Sequence, residues 1–119
     1  MRGPIATLCA AMFALPLAAQ ETSQAGGAVL RGLDTFNGHV TDMEVATGQG
    51  VEFGRMNIVV RDCRYPVGYP SGDAFVSLEI SQTGREGVIF SGWMIASAPA
   101  LSAMEHPRYD VWVLRCTTS

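Results

Sequence analysis

The chain has 119 residues, with 8 basic residues that are all arginine, 11 Asp and Glu, and a formal net charge of −3. That length allows one domain with one modest core and excludes two. A mildly acidic chain without a basic stripe lacks the electrostatic footprint that nucleic acid or an anionic lipid surface demands, so neither is an expected partner.

Residues 1–19 read as an export signal. Arg2 is the basic n-region, Ile5 to Leu17 the apolar h-region, and Leu17-Ala18-Ala19 a small-residue cleavage site. The apolar run is short of the roughly 20 residues of a membrane-spanning helix, and no second one follows. The expected location is the periplasm or the extracellular space. Cys9 sits inside the h-region after Ala6-Thr7-Leu8, which does not match the Gly or Ala that a lipid-anchoring motif places before its cysteine.

Gln20 to Gly27 has no periodicity and ends in a Gly pair, which predicts a flexible leader before a single domain over 28–119. From there the apolar pattern has mainly period two, as in half-buried strands. Asn37 to Val45 reads as a strand, and Gly48-Gln49-Gly50 as a turn. Val51 to Cys63 reads as a second strand with Gly54 at a bulge or bend, placing Met56, Ile58 and Val60 on one face.

Arg64 to Asp73, with two Pro, two Gly and two Tyr, predicts a long surface loop. Ala74 to Gln82 and Val88 to Ile95 predict an antiparallel hairpin turning at Thr83 to Gly87. Ser97 as N-cap and Pro99 in the first turn predict one or two helical turns, stopped by Pro107. Tyr109 to Cys116 then reads as a last strand. The expected fold is all-β and mainly antiparallel: a small single-domain sandwich or barrel of six or seven strands, with one short helical crossover before the last strand.

Signal removal takes Cys9 away and leaves Cys63 and Cys116 as a pair in an oxidising compartment, so a disulfide is expected. Closing a loop of about 54 residues is worth about 4 kcal/mol in the chain-entropy model. No Cys-x-x-Cys spacing points to redox chemistry.

Several stretches together resemble one family. They are Arg61-Asp62-Cys63, Phe90-Ser91-Gly92-Trp93-Met94, Ala96-Ser97-Ala98-Pro99-Ala100-Leu101, Glu105-His106-Pro107 and Tyr109-Asp110-Val111-Trp112-Val113 before Cys116. In these the chain, from about Val29 to Cys116, resembles the domain of unknown function family 2155, small exported bacterial proteins. The resemblance implies export, a single domain and the cysteine pair, and carries no activity.

Glu105, His106 and Asp110 lie within six residues of one another and could form an acid–base site, with His106 as general base of a small hydrolase on an envelope substrate. Against this, no Gly-x-Ser-x-Gly elbow or other nucleophile turn accompanies them. A simpler role for the three is to end the short helix and satisfy backbone donors. The same residues with His39 lack the spacing of a metal site, so no metal and no cofactor is expected.

Trp93 and Trp112 are expected in the core, with Met43, Met56, Met94 and Met104 as fillers. Tyr65 and Tyr69, with Arg64, are the expected binding residues, because amphipathic side chains on a stiff Pro/Gly loop make good contacts. The expected function is that of a non-catalytic periplasmic module that binds another protein of the cell envelope.

Overall fold

The computed structural model describes residues 21–118. The export signal and its cleavage site lie outside the described residues. Eight strands follow in chain order: β1 (Thr22–Gln24), β2 (Gly27–Asp34), β3 (His39–Ala46), β4 (Gly50–Phe53), β5 (Met56–Pro66), β6 (Phe75–Gln82), β7 (Val88–Ile95) and β8 (Tyr109–Thr117). One 3-10 turn, Pro99–Ser102, lies between β7 and β8. All pairings are antiparallel.

In the first sheet β5 is central. β6 and then β7 lie along one edge of β5, while β4 and β1 share the other, β4 near its start and β1 near its end. The second sheet has the order β3-β2-β8. The two sheets form an open arrangement and not a closed barrel, which decides between the two architectures that the strand count allowed.

The core follows from the alternation. Met56, Ile58 and Val60 of β5 and Val76, Leu78 and Ile80 of β6 are fully buried, and Leu30, Val111 and Val113 come from the second sheet. Each such side chain contributes roughly 1.5–3 kcal/mol by leaving water. The four methionines named above are buried among them, filling an irregular interior.

Two β-bulges bring the cysteines together. Along β5, Val60 pairs with Leu78 and Asp62 with Ser77, so Arg61 is an extra residue. Along β8, Val113 pairs with Leu30 and Arg115 with Val29, so Leu114 is extra. Each bulge shifts the alternation by one. Counted in twos from Val60 or Val113, Cys63 and Cys116 would face outward; the bulges turn both inward, and the disulfide they form joins the sheets at a Cα–Cα distance of 5.8 Å.

Four local expectations are corrected. The run Val51 to Cys63 is not one strand: it is the β4–β5 hairpin, reversed at Gly54, whose φ of +60° suits glycine in a tight turn. Residues 20–27 are not all leader, because Thr22–Gln24 pairs with Arg64–Pro66. That pairing also extends β5 to Pro66, so the surface loop is 67–74 and does not begin at Arg64. The crossover is a single 3-10 turn with Ala98 at its N-cap and no side-chain cap; the Ser97 hydroxyl is bonded to Asp73 instead.

Candidate functional site

The loop from Val67 to Ala74 leaves the first sheet at the end where β1 meets β5, and it is held by its own hydrogen bonds. The Val67 N–H donates to the Glu21 carbonyl (3.3 Å), that of Tyr69 to Pro66 (2.9 Å) and that of Gly72 to Tyr69 (2.9 Å). Asp73 anchors the far side. Its Oδ1 accepts the Ala74 and Ser97 N–H groups, both at 2.9 Å, and its Oδ2 accepts the Ser97 hydroxyl at 2.5 Å. The loop is thereby tied to β5, to β6 and to the exit of β7.

The three expected binding residues separate on this frame. Tyr69 is 69 % exposed at the loop tip, beside exposed Val67 and Pro70. Tyr65 belongs to β5, where it pairs with Ser23 and packs partly against the core. Arg64 lies on the outer face of the first sheet, where its Nε donates to Asp62 Oδ2 at 2.9 Å and its Nη1 to the Thr22 hydroxyl at 3.4 Å. Of the two tyrosines only Tyr69 is presented to solvent. No sequence signal separated them, because the bulge at Arg61 that turns Tyr65 inward and the three-residue β1 that holds it in a strand leave no local pattern.

Glu105, His106 and Asp110 lie along a shallow cleft with Thr35, Met104 and Tyr109. Both ring nitrogens of His106 are engaged. Nδ1 accepts the N–H groups of Arg108 (3.0 Å) and Tyr109 (3.2 Å), so the proton is on Nε2, which donates to Gln82 Oε1 at 2.8 Å. Asp110 Oδ1 accepts the N–H of Val111 at 3.0 Å, and Glu105 is exposed. Among the described residues no hydrogen bond joins either carboxylate to His106.

A general base needs a free ring nitrogen and an orienting partner. This imidazole instead caps the turn into β8, with its ring tilted against that of Tyr109 at 5.1 Å between centroids. His106→Ala is expected to destabilise the fold by about 1–3 kcal/mol, because two backbone donors lose their acceptor. Thermal melting checks this, and a variant that melts like the parent would refute the capping role.

Next to this turn Arg108 closes the end of the second sheet. Its Nε and Nη2 make paired bonds to Asp34 at 3.0 and 2.9 Å, and its guanidinium lies over the rings of Phe36 (4.8 Å) and Tyr109 (5.2 Å). Hydrogen bonding to Arg108 holds the Asp34 carboxyl below the usual carboxylate range, against an opposing cost of desolvation. Arg31 does the same to Asp42 on the outer face of the second sheet.

A carboxyl depressed in the folded state stabilises it fully above its unfolded pKa of about 3.9, and that contribution is lost as the pH falls through the lower folded value. The Tm gap between the parent and Asp34→Asn is therefore expected to be constant from neutral pH to about pH 4 and to narrow below it. A gap that persists unchanged to the acid limit would contradict the pairing.

Neither tryptophan is in the core. Trp112 is half-buried on the outer face of the second sheet, paired with Arg31, and Trp93 is 46 % exposed on the outer face of the first. The reason is register: Met94 pairs with Val76 on the inner face, so Trp93 must point out. Among the described residues no three His, Cys, Asp or Glu side chains converge as a metal site, and no helix is long and apolar enough to cross a membrane.

A family model described as an uncharacterized protein conserved in bacteria (DUF2155) matches residues 28–116, which takes in five of the eight described strands whole, all but one residue each of β2 and β8, and both cysteines of the disulfide. No curated protein and no solved structure matches the chain.

Proposed function

The chain belongs to the DUF2155 family of bacterial proteins, and we propose from its own surface that it is a non-catalytic binding module, exported to the periplasm, whose partner is another protein of the cell envelope. The observation that carries this reading is the loop 67–74. It presents Tyr69 and Val67 to solvent on a backbone fastened at both ends, by β1 on one side and by Asp73 on the other.

Ordering a loop on association costs free energy that a fastened loop does not lose. A rigid amphipathic aromatic ring gives large contact area with few rotors to freeze. The disulfide beneath the loop supports the same purpose, since Cys63 lies three residues before Pro66. His106, with both nitrogens engaged, serves the fold in this reading. Export rests on the sequence of residues 1–19.

Tyr69→Ala is expected to leave stability within about 0.5 kcal/mol of the parent, as for an exposed side chain, and to weaken recovery of the partner from crosslinked cells by roughly tenfold or more. Equal recovery by the folded variant would remove the loop from the contact.

A further inference from the structure

We propose that the outer face of the first sheet around Trp93 is a second binding site, separate from the loop, and that its ligand is an uncharged pyranose oligosaccharide. The face is read from the pairings. Asp62, Ser77 and Trp93 form one row across β5, β6 and β7; Arg64, Phe75 and Ile95 form the next toward the loop; Glu79 and Ser91 pair on the other side. Same-face rows on a strand lie about 7 Å apart, so a chain of two or three sugar rings would cross from one row to another.

Two observations point to that ligand class, and so does the cost of displacing water. Ser77 is only 8 % exposed although it faces outward, and it pairs with Trp93 in the same row. The Trp93 side chain is 46 % exposed there, so a large aromatic surface is open to solvent beside β6. An exposed indole can stack against the apolar face of a sugar ring.

The charges around Trp93 are balanced within the site. Arg61 bonds to Glu79 (2.9 Å) and to the Ser91 hydroxyl (3.2 Å). Arg64 bonds to Asp62 (2.9 Å), whose second oxygen accepts from Gln24 (3.2 Å). Two guanidinium groups and two carboxylates thus neutralise one another, and a charged ligand has no unbalanced counter-charge to meet.

A protein hot spot is an aromatic ringed by contacts that exclude solvent. An apolar partner here would have to desolvate four charged groups, a cost that their mutual attraction does not recover. Hydroxyl groups can instead replace the water on these side chains, donating to Asp62 and Glu79 and accepting from the two arginines while each pair stays intact. Phe75 and Ile95, half-buried on the next row, extend the apolar platform.

The test is a titration of the full exported chain, in its Trp112→Phe background so that only Trp93 emits, with cello- and chito-oligosaccharides of three to six units. Saturable change in indole fluorescence with either series is expected; which series produces it identifies the sugar. Roughly tenfold weaker binding is expected when Arg61→Ala is added. A Trp93→Ala variant with parental melting should lose retention on the matching immobilised sugar.

No saturable change with either series, or undiminished retention of the folded Trp93→Ala variant, would overturn the proposal. Tyr69→Ala should bind sugar as the parent does. Failure of the sugar site therefore leaves the loop contact standing, and the reverse also holds.

Discussion

A protein in which Cys63 and Cys116 are both replaced by serine is expected to lose about 4 kcal/mol of stability against unfolding, the value of closing a loop of this length in the chain-entropy model. The bridge spans 53 positions and links β5 of one sheet to β8 of the other. Much of the remaining connection between the sheets is side-chain packing, so the loss is a large fraction of the roughly 5–15 kcal/mol by which single domains are stable. Denaturant unfolding under oxidising and reducing conditions measures it. The parent under reductant should match the double variant under either condition, and a parent indifferent to reductant would mean that the bridge adds nothing.

Gly54→Ala is expected to cost about 2–5 kcal/mol, from two additive causes. The left-handed φ of +60° is worth about 1–2 kcal/mol against any residue with a Cβ. In addition, that Cβ would stand 2.5 Å from the Tyr109 hydroxyl and 2.7 Å from its ring, and displacing a packed aromatic costs about 1–3 kcal/mol. Tyr109 is held by Phe53, edge to face at 5.6 Å, and by His106 and Arg108, so it has little room to retreat. Gly54→Asn separates the causes, because asparagine tolerates the left-handed region but keeps the Cβ. If Asn is as damaging as Ala, the ring clash dominates; if both melt like the parent, the turn and the aromatic cluster are not packed as described.

What the sequence reveals and what it hides follow from the range of each signal. The β6–β7 hairpin is legible because Val76, Leu78 and Ile80 alternate strictly and the following segment, 83–87, contains the turn glycines Gly84 and Gly87. The cysteine pair is legible because Cys9 falls in the expected export signal, which leaves two of the three cysteines. The bulges at Arg61 and Leu114 are not, because a bulge has no obligatory residue and shows itself only when a partner strand is laid alongside. The same blindness misplaced both tryptophans: an aromatic in a strand is inward or outward by register, and the apolar character of Trp93 does not say which.

The candidate site was legible in part. Tyr69 could be named from the composition of its loop, whereas Tyr65 is held in a strand by β1, a pairing separated by more than forty positions, and is turned inward by the bulge at Arg61. Asp73 and Ser97 are joined across 24 positions and Asp34 and Arg108 across 74, and neither pair leaves a local pattern. His106 drew notice because histidine beside two carboxylates suggests proton transfer. Its ring is oriented instead by the backbone N–H groups of the turn it caps and by the side chain of Gln82.

The claim that the protein works by presenting a fastened loop to an envelope partner is tested most directly by photo-crosslinking in the living cell. A photoreactive residue is placed singly at 67 or 69 on the loop, and at 88 or 101 as equally solvent-accessible controls elsewhere. The account predicts one and the same protein partner from 67 and 69 and none from 88 or 101. The same adduct from all four positions, or from 88 and 101 alone, would contradict it.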